Sequence, residues 1–213
     1  MRHPLPRQTL SGLPALIARL VQRQAPRPPA DADAWVTDCG TTLRLRPVRP
    51  QDAALLGELF EDGLSPASRR LRFHTAVRAL SPLQLDWLAN ADFRRHAAFI
   101  VTRQAGSLEH AVAEARWVRN GAAASAEFAL SVADAWQHQG IGRRLLRALI
   151  DSARAQGLQG LVGDVLPANQ AMQALAQGLH FDCVPHPDDN ALLCATLPLV
   201  RRPQALLPVG WFH

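Results

Sequence analysis

Hydrophobic residues along the chain change between strand-like and helix-like spacing, which predicts a domain of mixed α/β structure. Leu43 and Leu45 alternate with arginines, as in a strand, and residues 50–61 carry apolar side chains three and four positions apart, as on one helix face. Ser65-Pro66 and Ser81-Pro82 each place an N-cap residue before a proline. Because proline suits the first helical position, both pairs predict the start of a short helix.

Three apolar segments follow at residues 97–102, 111–118 and 126–132, with turn-like sequences between them. Between the last two segments lies Asn120-Gly121, the dipeptide most typical of a tight hairpin turn. We therefore predict an antiparallel meander of three strands.

Residues 140–156 show the strongest helical pattern of the chain. Ile141, Leu145 and Leu149 share one face, arginines occupy the opposite face, and Gly157 is typical of the position just past a helix end. The remaining pattern predicts a strand at residues 161–166, a helix at residues 169–177, and a strand pair formed by residues 183–185 and 192–197.

The two ends of the chain differ from this central part. Residues 11–24 have helical spacing, and a segment rich in proline, alanine and aspartate follows them. We predict an N-terminal helical extension and proline-rich linker at residues 1–35, a main domain at residues 36–197 and a tail at residues 198–213. The tail either wraps the domain or meets a partner.

Composition limits the class of protein. The chain has 213 residues, 48% of them hydrophobic, and no apolar run long enough to span a membrane, so we expect a globular protein without a membrane partner. Its net charge is +5. All of its basic residues other than histidine are arginines, and it contains no tyrosine. Its 3 cysteines lack C-x-x-C spacing, which favours a reducing, cytoplasmic compartment, although the basic, acid-poor start leaves a transit peptide open.

The strongest chemical signal is a glycine-containing loop before the main helix. Gln137-x-x-Gly140-x-Gly142 leads directly into Arg143-Arg144. Unpaired backbone N–H groups and the positive end of the helix dipole favour a phosphate there, and two cations in a first turn need a compensating anion. The alternative is that the glycines only permit a tight turn and the arginines are solvated.

This loop resembles the Q/R-x-x-G-x-G/A loop with which acetyltransferases of the GNAT superfamily hold the pyrophosphate of acyl-CoA. The resemblance covers residues 41–197. Residues 46–52, 65–73 and 126–129 look most like bacterial Pat-type protein lysine acetyltransferases. The implied fold is α/β: a mixed, mostly antiparallel sheet, splayed at the cofactor wedge and flanked by helices.

The resemblance also implies the cofactor-binding residues. Main-chain groups on the strand and in the loop, and one residue before the next helix, would contact acetyl-CoA: Leu130, Val132, Gln137, His138, Gln139, Gly140, Ile141, Gly142, Arg143, Arg144 and Asn169. Asn169 has an equally simple alternative as a helix N-cap. No metal is expected, because His180, Cys183 and His186 match no standard zinc spacing.

Glu127 matches the glutamate that acts as general base in Pat-type enzymes. A base is useful because an amine of pKa about 10.4 is almost fully protonated at neutral pH, and a partly buried carboxylate would suit the role. The alternative for Glu127 is an ordinary strand residue that pairs with an arginine or faces water, and Glu114 on the neighbouring strand is the reserve base.

Two positions depart from the family pattern. Ala176 stands where many superfamily members have a tyrosine that acts as general acid, so that role is empty. His180 replaces the usual glycine of an L-G-F ending, which predicts a different turn if that glycine had positive φ.

A basic cluster has two interpretations. It is either a solvated helix face or a surface that steers acidic substrates, and it consists of Arg69, Arg70, Arg72 and His74.

Together these observations predict an acetyl-CoA-dependent N-acetyltransferase that acts on a protein lysine or a small amine by direct attack. The alternative is an acyl-CoA-binding sensor that has lost turnover. The arginines show no nucleic-acid motif or aromatic interleaving, so no nucleic-acid partner is expected, whereas an oligomer stays open.

Overall fold

The structure, a computed structural model, describes residues 33–120 and 123–200 and consists of one sheet with helices on both faces. The strands are β1 (Asp33–Val36), β2 (Thr42–Pro47), β3 (His96–Ala105), β4 (Leu108–Arg119), β5 (Ser125–Val132), β6 (Gly160–Val165), β7 (Asp182–Pro185) and β8 (Leu193–Pro198). The helices are α1 (Ala53–Glu58), α2 (Pro66–Phe73), α3 (Pro82–Ala89), α4 (Ile141–Ala155) and α5 (Gln170–Gln177). A 3₁₀ turn, Pro50–Asp52, precedes α1, and a π-helical turn, Leu59–Gly63, follows it.

The eight strands are ordered β1-β2-β3-β4-β5-β6-β8-β7. All neighbouring pairs are antiparallel except β5 and β6, which are parallel. The β5–β6 pairing covers only Ser125–Glu127 against Gly160–Val162, so beyond Glu127 the two strands separate. The predicted mixed sheet with a splayed centre is confirmed.

Helix α4 packs against one face of the sheet, and it does so through the apolar side that its sequence predicts. Leu145, Leu146 and Leu149 are fully buried there, in a cluster that includes Trp117 of β4. Gly140 before the helix has φ 75° and Gly157 after it has φ 67°, both left-handed. Glycine adopts this conformation at little cost, which explains why the helix starts and stops where it does.

Helices α1 to α3 cover the opposite face. Leu56 of α1 and Phe60 of the π-helical turn are buried against Ile100 of β3. A buried ion pair fixes α1 to the sheet: Arg46 of β2 donates two hydrogen bonds to the Asp52 carboxylate, at 2.6 and 2.9 Å. Each face of the sheet therefore has its own apolar core.

The two predicted serine caps are confirmed. The Ser65 hydroxyl accepts a hydrogen bond from the backbone N–H of Ser68 at 3.2 Å, and the Ser81 hydroxyl accepts one from Gln84 at 3.3 Å. Gln84 Oε1 accepts a hydrogen bond from the Ser81 N–H at 2.8 Å, which completes a capping box. These caps fix the starts of α2 and α3.

Some expectations for the chain's layout need correction. The sheet begins at Asp33, which pairs with Leu45 of β2, so the domain starts at least three residues before the predicted boundary at residue 36. His180 has φ 66°, so the histidine takes up the left-handed conformation itself and no different turn is required. The predicted N-terminal helix, Gly121 of the predicted turn and the tail beyond residue 200 lie outside the described residues. No helix in the described part of the chain is both long and apolar enough to cross a membrane.

Candidate active site

The separation of β5 and β6 opens a cleft of about 350 Å³ between the two strands. Its walls come from the outer half of β5, the loop before α4, the first turn of α4, the end of β6, α5, and α2 with the residues that flank it. A cleft at a break in sheet pairing leaves backbone groups of both strands without a neighbouring strand. Such groups are available to a ligand.

The N-terminus of α4 faces this cleft. Gly140 is the N-cap, and the first intrahelical bond runs from Arg144 N–H to the Gly140 carbonyl at 3.2 Å. The N–H groups of Ile141, Gly142 and Arg143 therefore have no partner within the helix, and all three residues line the cleft. Three such N–H groups at the positive end of a helix form an anion site.

The loop before α4 is held by its own side chains. Gln137 Nε2 donates to the Val132 carbonyl at 3.1 Å and to the Asp134 carboxylate at 3.2 Å. Asp134 in turn accepts a bond from the Ser65 N–H at 3.2 Å, which ties the loop to the start of α2. Gln137 thus shapes the loop and lines the cleft.

Nine of the eleven predicted cofactor-binding residues line the cleft: Leu130, Val132, Gln137, His138, Gly140, Ile141, Gly142, Arg143 and Asn169. Gln139 and Arg144 do not. Arg144 pairs with Asp33 at 3.2 Å and its guanidinium lies over the Trp35 ring at 4.6 Å, so β1 holds it away from the cleft. Its backbone N–H is also used inside the helix, at 3.2 Å from the Gly140 carbonyl, so a contact of Arg144 with the cofactor stays a prediction.

Glu127 is the last residue of β5 that pairs with β6, and it lines the cleft. Its side chain is exposed, contrary to the expected partial burial, because it faces the opening between the two strands. The neighbouring Ala126 and Phe128 point into the core on the other face. Alternation along the strand therefore brings a carboxylate to the point where β5 and β6 separate.

Glu114, the reserve base, lies opposite Ser131 of β5 but does not reach the cleft. It is 0% exposed and is held by Arg116, whose Nε and Nη2 lie 3.0 and 2.9 Å from Oε2. Arg72 Nη2 donates to its other oxygen at 3.4 Å. A carboxylate between two guanidinium groups is a counter-ion, and this removes Glu114 as a base.

A second cavity of about 340 Å³, called here the side cavity, adjoins the cleft. Both are lined by Glu127, Arg72, Phe128 and Ala129. The other residues of the side cavity come from the end of α2, the segment after it, α3 and β4: Phe73, Leu80, Gln84, Trp87, Leu88, Arg116 and Val118. Glu127 therefore stands where two openings meet.

Comparison with known proteins identifies the fold. The family model described as the acetyltransferase (GNAT) domain matches residues 42–182. The chain belongs to the GNAT acetyltransferase family. As a GNAT protein it is an N-acetyltransferase.

Individual relatives agree with this assignment. Acetyltransferase PA5475 of Pseudomonas aeruginosa is 32% identical over 172 residues, which cover 79% of this chain and 91% of the relative. Acetyltransferase Pat of Mycolicibacterium smegmatis is 33% identical over 179 residues, 80% of this chain, and the match spans 51% of Pat, about half its length. The crystal structure of the GNAT domain of S. lividans PAT matches with a TM-score of 0.71 and 25% identity, covering 81% of this chain and 99% of that domain.

Asn169 and Ala176, two positions singled out from the GNAT pattern, lie on or near α5. Asn169 Oδ1 accepts a bond from the Met172 N–H at 3.1 Å, so the N-cap role is present, and Asn169 also lines the cleft. Ala176 is fully buried and offers no hydroxyl group. In this GNAT chain a buried alanine therefore occupies the position at which the family pattern has a tyrosine.

Two charged residues that line the cleft were not predicted as cofactor-site residues, although the sequence analysis named Arg72 as part of a solvated face or a substrate-steering surface. Arg72 is only 15% exposed, contrary to the solvated helix face predicted for it, because Glu114 provides a buried partner. Asp164 of β6 lines the cleft, and its carboxylate lies 3.7 Å from His186. No pattern in the local sequence marked either residue, because the burial of Arg72 depends on Glu114 of β4 and the position of Asp164 depends on where β5 and β6 separate.

Proposed function

We propose that this protein transfers an acetyl group from acetyl-CoA to an amine, either a protein lysine or a small amine, with Glu127 as general base. The observation that carries the proposal is the position of Glu127 at the meeting point of the cleft and the side cavity. An acyl donor in the cleft and an acceptor in the side cavity would bring their reacting groups together beside this carboxylate.

The cleft suits the acyl donor. The N–H groups of Ile141, Gly142 and Arg143 would hold the pyrophosphate, since they are unpaired at the positive end of α4. Main-chain groups near Leu130 and Val132 would pair with the pantetheine arm, because β6 no longer occupies this edge of β5. The Arg143 side chain lines the same cleft and adds positive charge.

The reaction removes one proton from the amine and replaces the carbon–sulfur bond of the thioester with a carbon–nitrogen bond. The amine nitrogen attacks the thioester carbon, Glu127 takes the proton from that nitrogen directly or through a water, and the carbon–sulfur bond breaks to release CoA. A thiol of pKa about 8.5 is a fair leaving group, so the thiolate departs and takes a proton from solvent. This route does not require a phenol at Ala176.

The experiment that tests the role of Glu127 is a pH–rate profile of Glu127→Gln beside the wild type. We expect unchanged acetyl-CoA affinity and lower acetyl transfer at neutral pH, with partial recovery at high pH, where the amine is already deprotonated. Asp164→Asn is the matched control, because it removes the other carboxylate that lines the cleft. Equal activity of Glu127→Gln and wild type across the pH range would remove Glu127 from the mechanism.

A second function, an acyl-CoA-binding sensor without turnover, is favoured by a single observation: the buried Ala176 leaves no side-chain acid at that place. It predicts saturable acetyl-CoA binding without CoA release in the presence of any amine. The same assay therefore separates the two functions. Release of CoA that depends on an added amine would exclude the sensor.

A further inference from the structure

The side cavity has mostly apolar walls and a small set of charged groups at one end. Phe73, Leu80, Trp87 and Leu88 supply aromatic and aliphatic surface, whereas Arg72, Arg116 and Glu127 supply charge. Its volume of about 340 Å³ lies in the range of cavities that hold small molecules. The shape and lining therefore suit a compact ligand with an apolar part and a polar end.

The buried guanidinium groups beside this cavity outnumber the buried carboxylates, and the exposed Glu127 is the other negative charge that acts on Arg72. Arg116 bonds to Glu114, to the Leu88 carbonyl at 3.1 Å and to His96 Nε2 at 2.9 Å. Burial, together with Arg116, lowers the pKa of His96 to about 4, so this histidine is neutral at neutral pH. Two guanidinium groups, Arg72 and Arg116, thus share the single buried carboxylate of Glu114.

Arg72 is the cation that a ligand can reach. Its Nη2 donates one bond, 3.4 Å long, to Glu114, and no other hydrogen bond joins its guanidinium group to the described residues. The side chain keeps 15% exposure and lines both the cleft and the side cavity. The Phe73 ring lies 5.0 Å below its guanidinium carbon. Arg72 therefore presents unused N–H donors next to Glu127.

These charges discriminate among amines. An acceptor that carries several ammonium groups and no anion adds positive charge beside two arginines, which is unfavourable in a partly buried site. An acceptor that also carries a carboxylate adds negative charge beside these arginines and accepts hydrogen bonds from Arg72. Because Arg72 and Glu127 are neighbours, the amine and the carboxylate should be close together in the acceptor.

On the basis of the proposed function, we propose that the side cavity binds the acceptor and that the acceptor is a free α-amino acid with an apolar side chain. Its amino group would face Glu127, its carboxylate would bind Arg72, and its side chain would lie against Leu80, Trp87 and Leu88. Arg72 is then a specificity residue that contacts substrate, and Arg116 and Glu114 hold it in place.

The test compares acceptors that differ only in the carboxylate. CoA release from acetyl-CoA is measured with phenylalanine and phenethylamine, with leucine and isopentylamine, with spermidine, and with a lysine-containing peptide. A hydrogen bond to a charged group changes affinity by about 10- to 100-fold, so we expect kcat/KM to favour each amino acid over its amine by about that factor. A preference for the amines, for spermidine or for the peptide would overturn the proposal.

Variants of Arg72 assign the preference to that side chain. Arg72→Gln should raise KM for phenylalanine about tenfold or more, change kcat less, and leave phenethylamine unaffected; Arg72→Lys should recover part of the loss. Arg70→Gln is the matched control, an exposed arginine on the same helix. Equal losses for both acceptors would show that Arg72 does not bind the carboxylate, and if Arg72→Gln fails to fold, Arg72→Lys and the wild-type acceptor pairs provide the answer.

The outcomes also separate this proposal from the proposed function. CoA release with the peptide but not with amino acids would overturn the amino-acid proposal and keep the acetyltransferase. With no CoA release for any acceptor, the proposed function fails, and calorimetric titration of phenylalanine and phenethylamine into the CoA-saturated protein tests the side cavity by itself. Tighter binding of phenylalanine, lost in Arg72→Gln, would still support the site, and equal binding would overturn it.

Discussion

The buried histidine under α3 predicts a specific loss of stability in mild acid. His96 is 6% exposed, its ring stacks on Trp87 at 4.7 Å, and its Nε2 accepts a hydrogen bond from Arg116 Nη1 at 2.9 Å. Protonation would remove that acceptor and place a second cation beside Arg116. Glu114 and Asp92 favour the charged ring but only partly offset burial and Arg116, and the pKa falls from 6.5 to about 4.

The sign and size of the effect follow from linkage. Between the folded-state pKa of about 4 and the ordinary value of 6.5, the unfolded chain binds more protons at His96 than the folded chain does. Stability therefore decreases as the pH falls through this window. The full shift corresponds to about 3 kcal/mol, and the part lost between about pH 7.5 and about pH 5 is on the order of 2 kcal/mol.

The assay is urea unfolding of the wild type and His96→Phe at both pH values. Phenylalanine keeps the stacking on Trp87, and Arg116 Nη1 keeps its bond to the Leu88 carbonyl. We expect the free energy of unfolding of His96→Phe to lose about 2 kcal/mol less on acidification than that of the wild type. His138→Asn, which changes an exposed histidine, should behave as the wild type does. Identical pH dependence of wild type and His96→Phe would refute a neutral, buried His96.

Two further substitutions test the cleft's framework. In Gly163→Ala the new Cβ would lie 2.6 Å from the Phe128 ring, so we expect a loss of about 1 to 3 kcal/mol in urea unfolding, and wild-type stability would contradict the close packing of β5 against β6. In Asn169→Ala the cap of α5 is lost, and we expect about 1 kcal/mol of destabilisation, which Asn169→Ser should largely recover. If Asn169→Ser restores stability but not acetyl-CoA affinity, the side chain serves the cofactor as well as the helix.

Local patterns were enough to predict most of the fold. The α4 pattern, the serine caps and the strand alternation depend on interactions within a few residues, and all are confirmed. The glycine loop was informative for the same reason, because the unpaired N–H groups of Ile141, Gly142 and Arg143 belong to one helix end.

Side-chain directions that depend on distant partners could not be predicted. Arg72 was expected in solvent, but Glu114, 42 positions away, draws it into the protein. Arg144 was expected in the cofactor site, but Asp33, 111 positions away, holds it against β1. In both cases the partner lies on a strand whose position depends on the complete sheet. The exposure of Glu127 depends likewise on where β5 and β6 stop pairing.

The central claim, that the β5–β6 cleft binds acetyl-CoA, is tested most directly by calorimetric titration of the full chain with acetyl-CoA. Gly142→Glu should abolish binding, because its Cβ would lie 3.1 Å from Leu175 and 3.7 Å from Leu130, both in the cleft wall, and the added carboxylate repels a pyrophosphate. Arg147→Glu, exposed on the same helix, is the matched control. We predict saturable binding by the wild type and Arg147→Glu and none by folded Gly142→Glu. Equal binding by Gly142→Glu, or no binding by the folded wild type, would contradict the account.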